Sequence, residues 1–414
     1  MTNNTELSTW LEAWRHDIHD ELTNNILAYW TNHTIDHVNG GFVGAINDAN
    51  EIVPGADKSL VLNTRILWTF STAYRLLKDE SHLRIADRAY DYIVEHFVDA
   101  EHGGLYWMAD ALGAPAQTQK IVYGQAFSVY AFSEYYRAAG KQEALDHAIR
   151  LYELLESHSY DKENGGYFES HTRDWLPNSI SELSSNTLRE SKSMNTHLHV
   201  LEAYTNLYRA WPSEKLRQSQ SELLAKTLQH IVDQESGHFK LFFDERWNSL
   251  SGHISYGHDI EGSWLIAEAA EVLGEPELAA IANASAIRMA EAVLLEGVDA
   301  DGGILNEADA SGIIDSNKDW WPQAEAVVGF FNAYELTGDS RYLDAARASW
   351  GFTDRFIIDH KDGEWHWSVT REGVPTTGKG KVNAWKCPYH NSRACFEMLE
   401  RIERTLAHSA AVHE

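Results

Sequence analysis

A short motif, Asp-x-x-x-Gly, recurs six times along the 414 residues and limits the fold more than any other feature. It falls at Asp36/Gly40, Asp99/Gly103, Asp161/Gly165, Asp233/Gly237, Asp299/Gly303 and Asp359/Gly363, so the glycines are 63, 62, 72, 66 and 60 residues apart. Most copies run directly into short alternating segments, among them GGFVGAI, GGLYWMA and GGYFES, the pattern of a tight turn entering a short strand or hairpin. So regular a recurrence gives these Asp and Gly residues a structural role.

Two helical patterns of different character lie between the turns. After Arg65, the segment ILWTFSTAYRLL is apolar on nearly every face, which predicts a helix buried on all sides. The next segment carries Ala86, Ala89, Tyr90, Ile93 and Phe97 at spacings of three and four, which predicts a helix with one buried stripe. The same order, inner helix then outer helix, follows Tyr123, Asn195, His258, Trp321 and His390. Gly140, Pro212, Gly274 with Pro276, and Gly338 separate the two helices in four copies, as helix stop signals do. The last inner helix, from about His390 to Ala407, has no outer partner after it, and the first helix, from about Leu7 to Thr31, has no inner partner before it. Pairing these two closes the ring. The expected fold is all-α, a toroid of six inner and six outer helices with short β-hairpins at one end, and residues 1–414 form one catalytic domain although length alone would allow two or three.

If the inner helices all begin at one end of the ring, the residues at their starts converge on one cavity, and these residues differ from copy to copy. The six clusters hold Arg65; Tyr123 and Gln125; Asn195, His197 and His199; His258, Glu261 and Trp264; Trp320, Trp321 and Glu325; and Trp385, His390 and Arg393. A single histidine here would more often be a hydrogen-bonded core residue, but three at equivalent places, His199, His258 and His390, point to function. His197 and His199 form an H-x-H pair, yet residues two apart on a helix face roughly 200° apart, so they do not share an ion, and only His199 is expected to face inward. A zinc site built from His and Glu of different repeats is the alternative. General acid/base chemistry fits better, because two imidazoles on opposite sides of a ligand can remove a proton and return it on the other face. Arg65 can stabilise charge developing on an oxygen. Glu261 and Glu325 can orient histidines or bind sugar hydroxyls, with a buried ion pair as the alternative. Trp321 and Trp385 suit stacking on a sugar, whereas Trp68, Trp107 and Trp350 read as framework.

Composition excludes other classes. The balance of 34 basic to 62 acidic residues, a net charge of -28, would repel phosphate backbones and anionic lipid, so neither nucleic acid nor membrane is an expected partner. The N-terminal stretch lacks a basic region followed by an apolar one, and no later stretch reads as the roughly 20 apolar residues of a span, so a cytoplasmic location is expected. Cys387 and Cys395 are the only cysteines and lack zinc-site spacing. Glycine-rich nucleotide motifs and a nucleophile elbow are missing, so no organic cofactor is expected.

The segments LNTRILWTF, FVDAEHGG, SMNTHLHVLEAY, FFDERW, GHDIEGSW, WWPQAEA and PYHNSRA occur in order between about Glu21 and Arg404. Through them the chain resembles the N-acylglucosamine 2-epimerase superfamily, and within it most closely the cellobiose 2-epimerase branch. The resemblance implies an (α/α)6 barrel and an epimerase that opens the reducing-end ring of a small oligosaccharide. One histidine then takes the C2 proton to leave an enediolate, and a second returns a proton to the other face, with no metal and no cofactor. It implies His258 and His390 as the acid/base pair and His199 as a third, supporting histidine. Arg65, Tyr123, Asn195, Glu261, Trp264, Trp321, Glu325 and Trp385 would bind substrate or support those that do. A monomer or weak homodimer is expected. An aldose-ketose isomerase of mannose, a glycoside hydrolase and a non-catalytic sugar-binding protein remain the alternatives. The loop-like stretch from Arg173 to Lys192, which lengthens the 72-residue interval, is the expected selector of substrate.

Overall fold

A computed structural model describes residues 4–178 and 190–411, so the central part of the expected selector loop, 179–189, lies outside the described residues. Six inner helices, α3 (Leu60–Leu77), α5 (Val122–Ala139), α7 (Met194–Ala210), α9 (Tyr256–Leu273), α11 (Trp320–Thr337) and α13 (Tyr389–Ala411), form the inner ring. Each packs on the next, and α13 packs back on α3. The outer helices α4 (Glu80–His96), α6 (Gln142–Leu154), α8 (Glu214–Lys226), α10 (Pro276–Glu296) and α12 (Ser340–Phe352) each lie on the inner helix that precedes them. The sixth outer position is filled by α1 (Asn4–Asp20), which runs through a π-helical turn, Glu21–Leu27, into α2 (Ala28–His33) and packs on α13. The expected end-to-end pairing therefore closes the ring, and the barrel is the all-α (α/α)6 type.

The first five inner helices are buried on nearly every side, with apolar residues all round and their polar ones paired inside the barrel: in α5 every residue from Val122 to Tyr135 is buried. They stop where the chain turns left-handed, at Gly140, Gly274 and Gly338. The first copy uses Lys78 for the same turn, which is why no glycine marks it in the sequence. At 21 residues, α10 is long and apolar enough to cross a membrane by length and composition, contrary to the expectation that no stretch is. Its apolarity comes largely from alanine, and it packs on α9 and α11.

At the opposite end from these stops, two-residue strands sew the ring together. The pair just before each inner helix hydrogen-bonds antiparallel to the hairpin that follows the next outer helix: Lys58 opposite Ala109, Lys120 opposite His171, Lys192 opposite Phe243, Ser255 opposite Glu307 and Lys318 opposite Val369. A bridge between Ile46 and Val382 completes the circuit. Each Asp-x-x-x-Gly turn is clasped by a single antiparallel bridge, for example Ile35 to Phe42 and Val98 to Leu105. Its Asp carboxylate also accepts amide hydrogen bonds from within the turn, as Asp99 does from Glu101 and His102. A buried lysine outside the motif pairs with five of the six aspartates: Lys58 with Asp36, Lys120 with Asp99, Lys192 with Asp161, Lys318 with Asp299 and Lys381 with Asp359. The fourth copy has Ile254 at the lysine position, and the half-exposed Lys240 reaches Asp233 instead. The fifth turn corrects the motif by one residue. Gly302, at φ 89°, is its left-handed glycine rather than Gly303, because this turn is one residue shorter, the Gly302 amide donating to the Asp299 carbonyl; a Cβ on Gly302 would also meet the Ala348 carbonyl at 2.8 Å.

Candidate active site

The strands leave the inner helices starting at one mouth of the barrel, in a common register. Counting from the residues that precede α3, α5, α7, α9 and α11 (Ser59, Ile121, Ser193, Ser255 and Asp319), the sixth positions are Arg65, Phe127, His199, Glu261 and Glu325. The second positions include Tyr123, Asn195 and Trp321, and the ninth positions include Trp68, Tyr130, Glu202 and Trp264. Steps of four and three keep these residues on one helix face, which makes three layers from mouth to floor.

His390 of α13 joins the middle layer. Its Nδ1 lies 2.7 Å from Glu325 Oε1 and 3.9 Å from Glu261 Oε1. His199 Nδ1 lies 2.9 Å from Glu202 Oε2. His258 Nδ1 has a hydroxyl for its partner, Ser255 Oγ at 2.7 Å. The rings of His258 and His390 both approach Trp321, with centroids at 4.7 and 5.5 Å. Burial pushes the His258 imidazole down to about 4 against the pull of Glu261, and pushes His390 well below the ordinary histidine range. Both are therefore neutral at pH 7, and with Nδ1 engaged, Nε2 is the nitrogen that has no protein partner among the described residues. His197 points away from this group, as the helix geometry requires. It accepts from the Tyr167 amide at Nε2, lies 2.6 Å from the Ser193 carbonyl at Nδ1, and burial holds it at about 4.

Beneath the histidines, one guanidinium serves three carboxylates. Arg393 Nη2 donates to Glu261 Oε1 at 2.5 Å and Glu325 Oε1 at 2.7 Å, and Nη1 donates to Glu202 and to the Tyr389 hydroxyl. The Tyr389 hydroxyl donates to Glu202 as well. Burial alone would raise Glu202, yet Arg393 and His199 hold it at about 2. Glu325 is raised by burial, which outweighs Arg393. Trp264 is fully buried, its Nε1 donating to Glu325 Oε2 at 3.0 Å while its ring lies under Arg393, so it supports Glu325 rather than offering a face to a sugar. Glu261, Glu325 and His390 bring three ligand-type atoms within 4.8 Å of one another, but Arg393 Nη2 already supplies the positive charge between the two carboxylates.

Arg65 lies across the pocket, its Nη2 donating to the Tyr123 hydroxyl at 2.7 Å and its Nη1 to the Trp385 carbonyl at 3.1 Å. The guanidinium is sandwiched between the rings of Phe127 and Tyr389, at 4.4 and 4.8 Å. Trp321 and Trp385 are both partly open to the mouth, and Trp107, read as framework, backs Trp385 at 5.9 Å. Among the described residues, Asn195 Oδ1 and Glu261 Oε2 are buried acceptors with no hydrogen-bond partner, positions that a ligand hydroxyl would satisfy. Apart from Asn195, which shares the helix face of His199, the expected site residues are thus joined in one network of contacts. Sequence reasoning missed Glu202, Tyr389 and Ser255 and gave Arg393 no role. The available signals were the i,i+3 spacings His199 to Glu202 and His390 to Arg393.

A six-paired toroid whose helix starts carry three histidines over buried carboxylates defines a class: the chain belongs to the N-acylglucosamine 2-epimerase (GlcNAc 2-epimerase) family, whose profile matches residues 23–394. It is similar to the cellobiose 2-epimerase of Bacteroides fragilis, with 43% identity over 389 residues covering 94% of this chain and 99% of that one. The cellobiose 2-epimerase of Dictyoglomus turgidum is 38% identical over 393 residues, 95% of this chain and 100% of the relative. Among solved structures, the cellobiose 2-epimerase from Bacillus thermoamylovorans superposes with a TM-score of 0.91 at 40% identity, covering 94% of this chain and all of the other.

Proposed function

We propose that this protein inverts C2 of the reducing-end glucose or mannose unit of β-1,4-linked disaccharides, converting cellobiose to glucosyl-mannose. The ring opens, one of His258 and His390 takes the C2 proton at Nε2, and the other delivers a proton to the opposite face of the resulting enediolate. The observation that carries this reading is that two neutral imidazoles, each fixed at Nδ1, approach the same Trp321 ring from different repeats. A neutral imidazole is a competent base near pH 7, and the imidazolium it becomes is a competent acid. In this scheme Arg65 stabilises the negative charge that grows on the C1 oxygen, with Tyr123 fixing its orientation. Glu261 and Asn195 accept sugar hydroxyls at the oxygens that have no protein partner. Trp321 and Trp385 offer stacking faces for the sugar rings. His199, held by Glu202, supports the pair. The cellobiose 2-epimerases at 38–43% identity favour a disaccharide as substrate.

The test is incubation with cellobiose in D2O, followed by NMR of the products. Deuterium at C2 of an intact glucosyl-mannose is the expected result, and His258→Ala and His390→Ala should each abolish its formation. Glucosyl-fructose as the main product would make the protein an aldose-ketose isomerase, and free glucose a hydrolase.

A further inference from the structure

Three inner helices begin after a serine in the same register: Ser59 before α3, Ser193 before α7 and Ser255 before α9. A serine there ordinarily accepts a hydrogen bond from the amide three residues on, one of the donors a helix start leaves open. Ser59 does so to Leu62 and Ser193 does so to Thr196. Ser255 does not. The residue three on is His258, and the Ser255 hydroxyl turns from its amide to its ring, where Oγ lies 2.7 Å from Nδ1. The site thus gives up a cap that stabilises the other two helices. Ser255 is buried, and the described residues contribute no other hydrogen-bond partner to either Oγ or Nδ1.

We infer that Ser255 is a positioning residue for proton transfer at His258, fixing the ring so that Nε2 faces the substrate. The inference rests on the acid/base role proposed for His258. A hydroxyl suits this task because its oxygen accepts from Nδ1–H without placing another anion against the ring. When His258 takes the C2 proton, the new N–H bond forms at Nε2 and the C2 electron pair passes into the enediolate. Nδ1 carries its hydrogen before and after this transfer and donates it to Ser255 Oγ, and the serine keeps its own proton throughout. When the imidazolium returns its proton to carbon, the same contact persists. His390 differs, because its Nδ1 faces the carboxylate of Glu325, which only accepts and therefore always calls for Nδ1–H. The two histidines are consequently set up differently: His390 is held in one tautomer, while His258 is oriented without being tied to an anion.

The experiment compares Ser255→Ala, Ser255→Thr, Ser59→Ala and His258→Ala in the full chain, reading kcat, KM for cellobiose and Tm. Loss of one neutral hydrogen bond that acts only on orientation should lower kcat of Ser255→Ala about tenfold with KM little changed. Its Tm should fall by about 1–3 °C, since the His258 Nδ1 is left unpaired in a buried site, and Ser255→Thr should recover most of the rate and of the Tm. Ser59→Ala, which removes a cap, should lower Tm by about 1–2 °C at unchanged kcat. Parental kcat in Ser255→Ala, or a loss that threonine does not restore, overturns the inference. If His258→Ala is inactive while Ser255→Ala is normal, only this inference fails; if His258→Ala turns over normally, the proposed acid/base role fails with it.

Discussion

Replacing Arg393 with methionine removes the guanidinium that pairs with Glu202, Glu261 and Glu325 while keeping most of the side-chain volume. Breaking a buried ion pair by deleting one partner costs about 3–5 kcal/mol, because the remaining charge is left uncompensated. The carboxylates give a second, independent figure. Glu202 is held at about 2 against an ordinary 4.5, and a depression of that size corresponds to about 3 kcal/mol of stability at neutral pH. With an unfolding entropy of about 2.1 cal/mol/K per residue, a chain of 414 residues should lose about 3–6 °C in Tm. The sign follows from the direction of the shift. A carboxylate whose folded pKa is depressed stabilises the fold above its unfolded value near 4.5, and that contribution disappears as pH falls towards 2. The gap in Tm between parent and Arg393→Met should therefore be full at pH 7 and shrink below about pH 4.5, as calorimetry at pH 7 and at pH 3.5 would record. A variant as stable as the parent at pH 7, or a gap that does not change with pH, would show that Arg393 does not hold Glu202 ionised.

Removing residues 1–33 should abolish cooperative melting. Leu11, Trp14, Ile18, Leu22, Ile26, Leu27, Tyr29 and Trp30 are all buried, and at roughly 1.5–3 kcal/mol each they match or exceed the 5–15 kcal/mol by which a typical domain is stable. A truncated chain with a sharp calorimetric transition would mean that the ring does not depend on its first helix. The acid limb of kcat/KM should also be displaced. With His258 at about 4 rather than 6.5, the rate should stay level down to about pH 5 and fall only below it. A break near 6.5 would show that the imidazole is solvated in the free protein.

The ring could be read in the sequence because its punctuation demands particular residue types. A left-handed turn selects glycine, an aspartate closes it, and helices buried all round differ in period and polarity from those buried on one stripe. The fifth copy slipped by one because DADGG offers two successive glycines, and the Asp-x-x-x-Gly spacing picks Gly303. The structure picks Gly302 because this turn is one residue shorter: the Gly302 amide donates to the Asp299 carbonyl, a bond that Gly103, Gly165, Gly237 and Gly363 make from four residues on. The histidines were legible as departures from the repeat. The floor beneath them was not, because its layer is filled elsewhere by Trp68, Tyr130 and Val328, and a lone glutamate in VLEAY reads as one more helix residue. Ser255 was hidden for the opposite reason: a serine before a helix reads as a cap, and at Ser59 and Ser193 that is what it is.

The floor also explains why carboxylates in this pocket favour proton transfer at carbon over hydrolysis. Cleaving a glycosidic bond calls for two carboxyl groups flanking it, one protonated and able to donate. Here Glu325 has both oxygens occupied, Oε1 by His390 and Arg393 and Oε2 by Trp264. Glu202 is held ionised, with its oxygens committed to His199, Tyr389 and Arg393. Glu261 keeps one unpartnered oxygen, but its other shares Arg393 Nη2 with Glu325. The charges are thus drawn down to the guanidinium, and two of the three carboxylates act on a ligand only through an imidazole. The ring nitrogens that remain open belong to histidines, groups that exchange protons near neutral pH without leaving a bare charge in a buried pocket.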